Sequence, residues 1–241
     1  MDIVEKQWKS IYFIGGVTAT LCLCAIIADM IIGSITGADL TLLPKTAIDR
    51  FVQLNDKPLL GLYNMDLLNV ITQILMIPTI FAIYAAHRNV DKANALLALI
   101  LFVTGSILFV AGNTALTMFD LSRKYFEATT DAQRYLIESA GEAMLAKGAH
   151  GSLSVFIGFV LPTIANILMS VVMIKGRVFG SVTAYFGVIG NSFLLVYLVL
   201  VTFFPAIEKF ALAIAMPGGL MVLGWMVLLT IKLFKLRISA N

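Results

Sequence analysis

Charge is what this chain has least of. Asp, Glu, Lys and Arg supply only 13% of its 241 residues, while 60% are hydrophobic and the mean hydropathy is +0.95. Soluble domains carry about a quarter charged residues, so the composition excludes a soluble fold and points to apolar segments of about 20 residues that cross a bilayer. The net charge of +3 is too small and too dispersed to attract nucleic acid. Histidine and cysteine are scarce as well, at two each. Cys22 and Cys24, two residues apart on a helix, point in opposite directions, so they can neither pair nor chelate and read as small buried residues. His87 and His150 fall at span ends on opposite sides, which excludes paired haem ligation, and zinc would lack ligands. There is no Ser-His-Asp grouping and no phosphate-cradling glycine loop. Lys232, near the end of the last span, reads as a snorkelling anchor. No cofactor and no metal is expected, and catalysis has no evident machinery.

What is present is a series of six apolar runs, at about 11–32, 63–86, 93–116, 151–174, 179–203 and 217–234. The expected fold is therefore all-α: one integral membrane domain over 1–241, a polytopic bundle of six transmembrane helices. Lys6 and Lys9 precede the first run as in a signal peptide, and Thr36 with Ala38 offers a small-residue pair. The run is nevertheless longer than the roughly 7–15 residues of a cleaved segment, so it reads as a retained helix. Pro78 and Pro162 lie inside runs two and four, which membrane helices tolerate. Pro217-Gly218-Gly219 reads as the start of the sixth. With both termini inside, the inner tails and turns hold nine cations (Lys6, Lys9, Arg88, Lys92, Lys175, Arg177, Lys232, Lys235, Arg237) against three acids, Asp2, Glu5 and Asp91. The longer outer connectors hold eight cations against nine acids. Positive charge in short inner loops sets orientation, so N-in/C-in is expected.

Two outer connectors carry structure of their own. Residues 44–54 begin with Pro44 and space Ala47, Ile48, Phe51 and Leu54 as an amphipathic surface helix. Residues 117–148 read as two short helices, with Thr130 an N-cap and Gln133 three residues on. Gly141 and Gly148 mark weak points there, and Tyr125, Phe126 and Tyr135 suit an interfacial position over the outer mouth. Leu121-Ser122-Arg123-Lys124-Tyr125, Ala128 to Arg134 and Ser139 to Ala146 resemble a family of prokaryotic multi-spanning membrane proteins known only as a domain of unknown function. The Leu59 to Asn69 run and Val178 to Asn191 resemble it too, so the likeness covers most of residues 59–191, while the Lys147 to Gly151 stretch departs from it. The resemblance implies six spans and a prokaryotic plasma membrane, and no activity.

An ionisable group at mid-bilayer costs at least about 2.5–3.5 kcal/mol, so polar residues within spans need a reason. Gly15, Thr18, Cys22, Ala25 and Asp29 share one face of span one, a small weakly polar seam fit for close helix contact that ends in an aspartate near the outer surface. Asp66, Asn69 and Gln73, at i, i+3 and i+7, share one face of span two, and lipid is a poor solvent for that face. Asn113 near the outer end of span three can join it. Asn166, one turn past Pro162, is placed to take up the carbonyl that the proline frees. Gly180, Ala184, Gly187 and Asn191 form a second packing seam.

Three readings compete. In the first, Asp29, Asp66, Asn69, Gln73 and Asn113 line an outward-facing polar pocket that binds or passes a small molecule, lipid or proton. In the second, the chain is a structural or accessory subunit whose outer helices dock a membrane partner or a second copy, the polar groups serving as interhelical hydrogen bonds. In the third, Asp29 and Asp66 form an acid/base pair within the membrane.

Overall fold

A computed structural model describes residues 3–35, 44–149 and 151–239. The Thr36/Ala38 pair and His150 lie outside the described residues. Among those described there are ten α-helices, a 3-10 turn at Pro205–Ile207 and no strand. The helices are α1 (Ile3–Ile35), α2 (Ala47–Asp56), α3 (Pro58–Tyr63), α4 (Leu67–His87), α5 (Lys92–Gly112), α6 (Ala115–Glu127), α7 (Asp131–Gly148), α8 (Leu153–Gly176), α9 (Ser181–Phe203) and α10 (Glu208–Ser239). Six helical stretches, in α1, α4, α5, α8, α9 and α10, are long and apolar enough to span a membrane. The chain is a multi-pass membrane protein.

The spans form a ring. Each packs on the spans before and after it, and α10 returns to pack on α1. The small-residue seam of α1 faces α4: Gly15 lies against Ala82, the Thr18 and Thr79 hydroxyl oxygens are 2.9 Å apart, and Cys22 Sγ donates to the Thr72 carbonyl at 3.6 Å. Cys24, expected to be buried, is exposed, because it lies on the opposite face from Cys22. Helices α5 and α8 meet over three glycines. Gly105 lies against Pro162, Gly112 against Ser154, and Gly158 against Phe109. Glycine lets membrane helices approach to backbone distance, where packing rather than hydrophobicity drives association. The α1–α10 contact is aromatic and cationic, with Phe13 beside Phe234 at 6.2 Å and Arg237 4.0 Å over the Phe13 ring.

Helices α2, α3, α6 and α7 gather into a cap at one end of the ring. Ala47, Phe51, Leu54 and Met118 form its small core. Gly141, expected to be a weak point, continues α7 and lets it approach α2, since a side chain there would meet Phe51 and Ala47. The first backbone N–H of α2 donates to Glu142 Oε1 at 2.7 Å, and Ser122 Oγ donates to the Phe51 carbonyl at 2.8 Å. Thr130 and Gln133 form the expected capping box at the start of α7.

Two expected boundaries move. Span two does not begin at 63. Helix α3 stops at Tyr63, and Asp66, left-handed at φ 63°, turns the chain into α4. Span six does not begin at Pro217, because α10 runs through it from Glu208. Gly218 there lies against Phe193 and the Gly190 carbonyl of α9, so tertiary packing outweighs a local breaker signal. Gly180 also leaves its expected seam. It is exposed at the N-cap of α9 with φ 82°, a backbone conformation natural to glycine.

Candidate functional site

The connector chemistry makes the two ends of the ring distinct. The end opposite the cap is basic. Arg88 stacks 4.4 Å over Trp8, and Lys175 Nζ lies 2.7 Å from Asp91 Oδ2. Asp91 is the N-cap of α5 and accepts from the Asn94 side chain at 2.9 and 3.0 Å. The Lys175 ammonium first, and then Asn94, hold its carboxyl down at about 2. This stabilisation is complete above about pH 4, the ordinary carboxyl value, and is lost as pH falls through about 2. In Lys175→Met the Asp91 carboxyl titration, followed by carbon NMR, is expected to move up toward its ordinary value. No movement means the ion pair is absent in solution.

Burial along the ring is uneven. At the basic end, Ile80, Ile83, Met169, Met173, Leu229 and Leu233 pack a continuous core. Toward the cap that core thins on four spans. Among the described residues, α1 has no buried side chain beyond Cys22, α4 none before Thr79 and α9 none beyond Asn191. On α10, only Ala211 and Gly218 are buried before Trp225. Helices α5 and α8 alone stay buried to the capped end, through Ser106, Phe109, Val155 and Gly158. Helices packed tightly around a filled interior would bury one stripe along their whole length. Here α1, α4 and α9 do so over only the basic half, and α10 does so with just Ala211 and Gly218 buried on the capped side.

Polar side chains collect where the packing loosens. Asp66, intended by its spacing as the first residue of a helical face, is instead the N-cap of α4, and it accepts from Asn69 Nδ2 at 2.9 Å. Asn69 is exposed and Asp66 half-buried. Asp29, exposed at the end of the α1 seam, accepts from Tyr63 Oη at 2.7 Å. The two aspartates therefore have separate partners, and no hydrogen bond joins them among the described residues. Burial first, then the Asp29 hydrogen bond and the charges of Asp29 and Asp66, push the Tyr63 phenol up to about 12, so it stays a donor. Gln73 lies one turn deeper than Asn69 and turns to α5, where Ser106 Oγ is 3.0 Å from its Oε1. Asn113 donates to the Met65 carbonyl at 2.9 Å and accepts from the Ala115 N–H at 3.0 Å. It thereby fixes the α5–α6 joint against the turn that carries Asp66.

Arg50 brings a half-buried cation to this region. Its Nη1 donates to the Asn64 carbonyl at 3.4 Å, while its buried Nε and the buried Oε1 of Gln53, one turn on, have no partner. Burial lowers the guanidinium pKa from its ordinary value and the Asp66 charge partly restores it. Tyr63, Arg50 and Ser106 are the members that spacing within a single helix does not reveal. Only Ser106 carries a signal, lying with Phe102 and Phe109 on one stripe of α5.

Asn166 does not serve the carbonyl freed by Pro162. It donates across to Asn191 Oδ1 at 3.3 Å, and Asn191 in turn donates to the Gly187 carbonyl at 2.7 Å. His87 is fully buried, stacked on Phe179 at 5.4 Å with Nδ1 2.9 Å from the Ile83 carbonyl. No cluster of metal-ligating side chains occurs among the described residues.

The sequence profile of Domain of unknown function (DUF4386) matches residues 14–232, nearly the whole chain. Neither a curated protein nor a solved structure matches it.

Proposed function

We propose, for a chain that belongs to the DUF4386 family, that it is a non-enzymatic membrane bundle which takes a small polar ligand into a cleft open at its capped end. One observation carries this reading: fully buried side chains on α1, α4 and α9 stop short of the capped end, and on α10 only Ala211 and Gly218 are buried on that side. In this reading the cleft opens at the cap, with Asp29, Asp66, Asn69, Gln73 and Asn113 at its mouth. Two carboxylates against one half-buried guanidinium favour a ligand with a cationic or hydrogen-bond-donating group, whether a free small molecule or a lipid headgroup. The basic end is the inner one by the positive-inside rule, so the cleft opens outward, N-in/C-in, in a prokaryotic plasma membrane.

Single cysteines in a background without Cys22 and Cys24 test both parts. Asp131→Cys on α7 is expected to react with an impermeant maleimide in intact cells and Asn89→Cys is not. The opposite result inverts the orientation. Asn69→Cys and Gln73→Cys are expected to react with small charged thiol reagents applied from the capped side, the cationic reagent about 10-fold faster than the anionic one. The cleft reading fails if Asp131→Cys reacts while both of these stay inert.

A second reading has its own support. Tyr135 and Leu136, each 69% exposed on α7, with Phe126 at 46% on α6, leave apolar surface on the outside of the cap that suits an accessory subunit docking a membrane partner. Co-purification that is lost on Tyr135→Ser with Leu136→Ser, with the thiol reactivity unchanged, favours it.

A further inference from the structure

Three buried polar atoms without partners lie within about one turn of one another, near the middle of their spans. They are Asn166 Oδ1, Ser170 Oγ and Trp225 Nε1, from α8 and α10. Ser170 and Trp225 are 0% and 1% exposed. Both their polar atoms crowd the same notch over Gly187 of α9, where a side chain would collide with each. Asn166 lies one turn from Ser170 on α8, and its partner Asn191 one turn from Gly187 on α9. Ser170 and Trp225 thus meet at the α8–α9–α10 junction, with the Asn166–Asn191 pair one turn along it.

The unused valences are complementary to one chemistry. Asn191 Nδ2 is committed to the Gly187 carbonyl, which fixes the Asn191 amide and presents its oxygen to Asn166 Nδ2. Asn166 is then left with an acceptor, and indole N–H is a donor only. Ser170 can act as either, and it departs from the other helical hydroxyls. Ser106, Thr163, Ser192 and Thr230 each donate to the carbonyl four residues back, whereas Ser170 Oγ is unpartnered. One donor, one acceptor and one ambivalent hydroxyl are together satisfied by a single O–H group, which donates and accepts at once.

We propose that this junction binds a hydroxyl oxygen, which is either an ordered water or the alcohol group of a bound lipid or small molecule. Gly187, having no side chain, lets Ser170 Oγ and Trp225 Nε1 come together beside α9; Trp225 Nε1 donates to the bound oxygen, and Asn166 Oδ1 accepts from it. The inference does not rest on the polar mouth near Asp66, because its groups lie on other helices, near the middle of their spans.

The test uses the full chain in lipid nanodiscs, with nitrogen-labelled tryptophan and Trp8→Phe, so that Trp225 provides the only indole signal. A downfield indole proton with an exchange cross-peak to water, abolished by Gly187→Ala, supports the site with water in it. A downfield proton without that cross-peak, which moves upfield after exhaustive delipidation and returns on adding a medium-chain alcohol, supports an alcohol in it. A proton at the free-indole position, unmoved by Gly187→Ala and Ser170→Ala, overturns the proposal. So does one that Ser170→Ala alone shifts without any water or alcohol dependence, since the indole would then bond Ser170 directly. Ser170→Ala removes one oxygen and adds no bulk, so it keeps the test decisive should Gly187→Ala fail to fold.

Discussion

Gly105→Leu is expected to abolish the folded bundle, while Gly219→Leu, the same substitution on another span, is expected to leave it intact. At Gly105 the first added carbon already meets the Pro162 ring and, at 2.9 Å, Leu161 Cβ. A proline ring inside a helix cannot rotate aside, so α5 and α8 must separate, and Gly112 and Gly158 lose their contacts with them. Overpacking costs about 1–3 kcal/mol for extra methylenes in a core that can adjust, and this seam has little freedom to do so. Loss of the monodisperse peak in detergent size-exclusion chromatography is the expected result. Gly219 has nothing within 4 Å of the added carbon, and leucine in place of glycine gains about 1 kcal/mol of helix propensity there. A stable, monodisperse Gly105→Leu protein would mean that α5 and α8 are not in glycine-mediated contact.

The second large effect is at Asp66, where backbone and charge can be separated by three substitutions. Its φ of 63° is tolerated by Asp, Asn and Gly, and costs a side chain such as leucine about 1–2 kcal/mol. Asp66→Asn and Asp66→Gly are therefore expected to melt near the parent in detergent. Asp66→Leu is expected to lose roughly 2 kcal/mol from the backbone term, since exposed Asn69 turns to water when its acceptor goes. All three remove the carboxylate, so all three are expected to erase the cationic preference in thiol labelling at position 73. Each should also lower the Tyr63 phenol from about 12, because the Asp66 charge is one cause of its rise. Asp29→Asn should lower it further, since it weakens a hydrogen bond as well. The sign is definite. Stability from this raised phenol is present below about pH 10, its ordinary value, and is lost as pH rises through about 12. An ultraviolet difference titration of parent against variant reads the shift. Asp66→Leu that is stable and retains the cationic preference would remove Asp66 from the site.

Sequence patterns found what depends on a single segment. Six apolar runs became six spans, and Thr130 with Gln133 became the capping box of α7, because length, hydropathy and capping chemistry act within a few residues. The α1 seam was legible for the same reason, its five members lying on one helical face. The pairings across segments were not. Spacing places Asp66, Asn69 and Gln73 on one face, but the groups that complete the region, Tyr63 on Asp29, Ser106 on Gln73 and the Met65 carbonyl on Asn113, come from other elements. Pro217-Gly218-Gly219 reads locally as a helix start, and only the approach of Gly190 and Phe193 explains why α10 runs through it. Gly105 and Gly158 carry no pattern until α5 and α8 are laid side by side. The Ser170–Trp225 convergence likewise appears only once three spans meet.

The joint between α1 and α10 has a consequence for how the protein is made. It unites the first of the six described spans with the sixth, so the face of α1 bearing Phe13 and Gly16 lacks its α10 partner while the intervening spans are synthesised. Closing so long an intervening loop is the entropically dearest step of assembly. Until Phe234 and Arg237 arrive, that face must be kept from unproductive association by lipid or by the insertion machinery. Slowed or truncated translation would thus strand a bundle with two unpaired faces, that of α1 and that of α9 around Gly187 and Gly190, both available to a neighbouring copy.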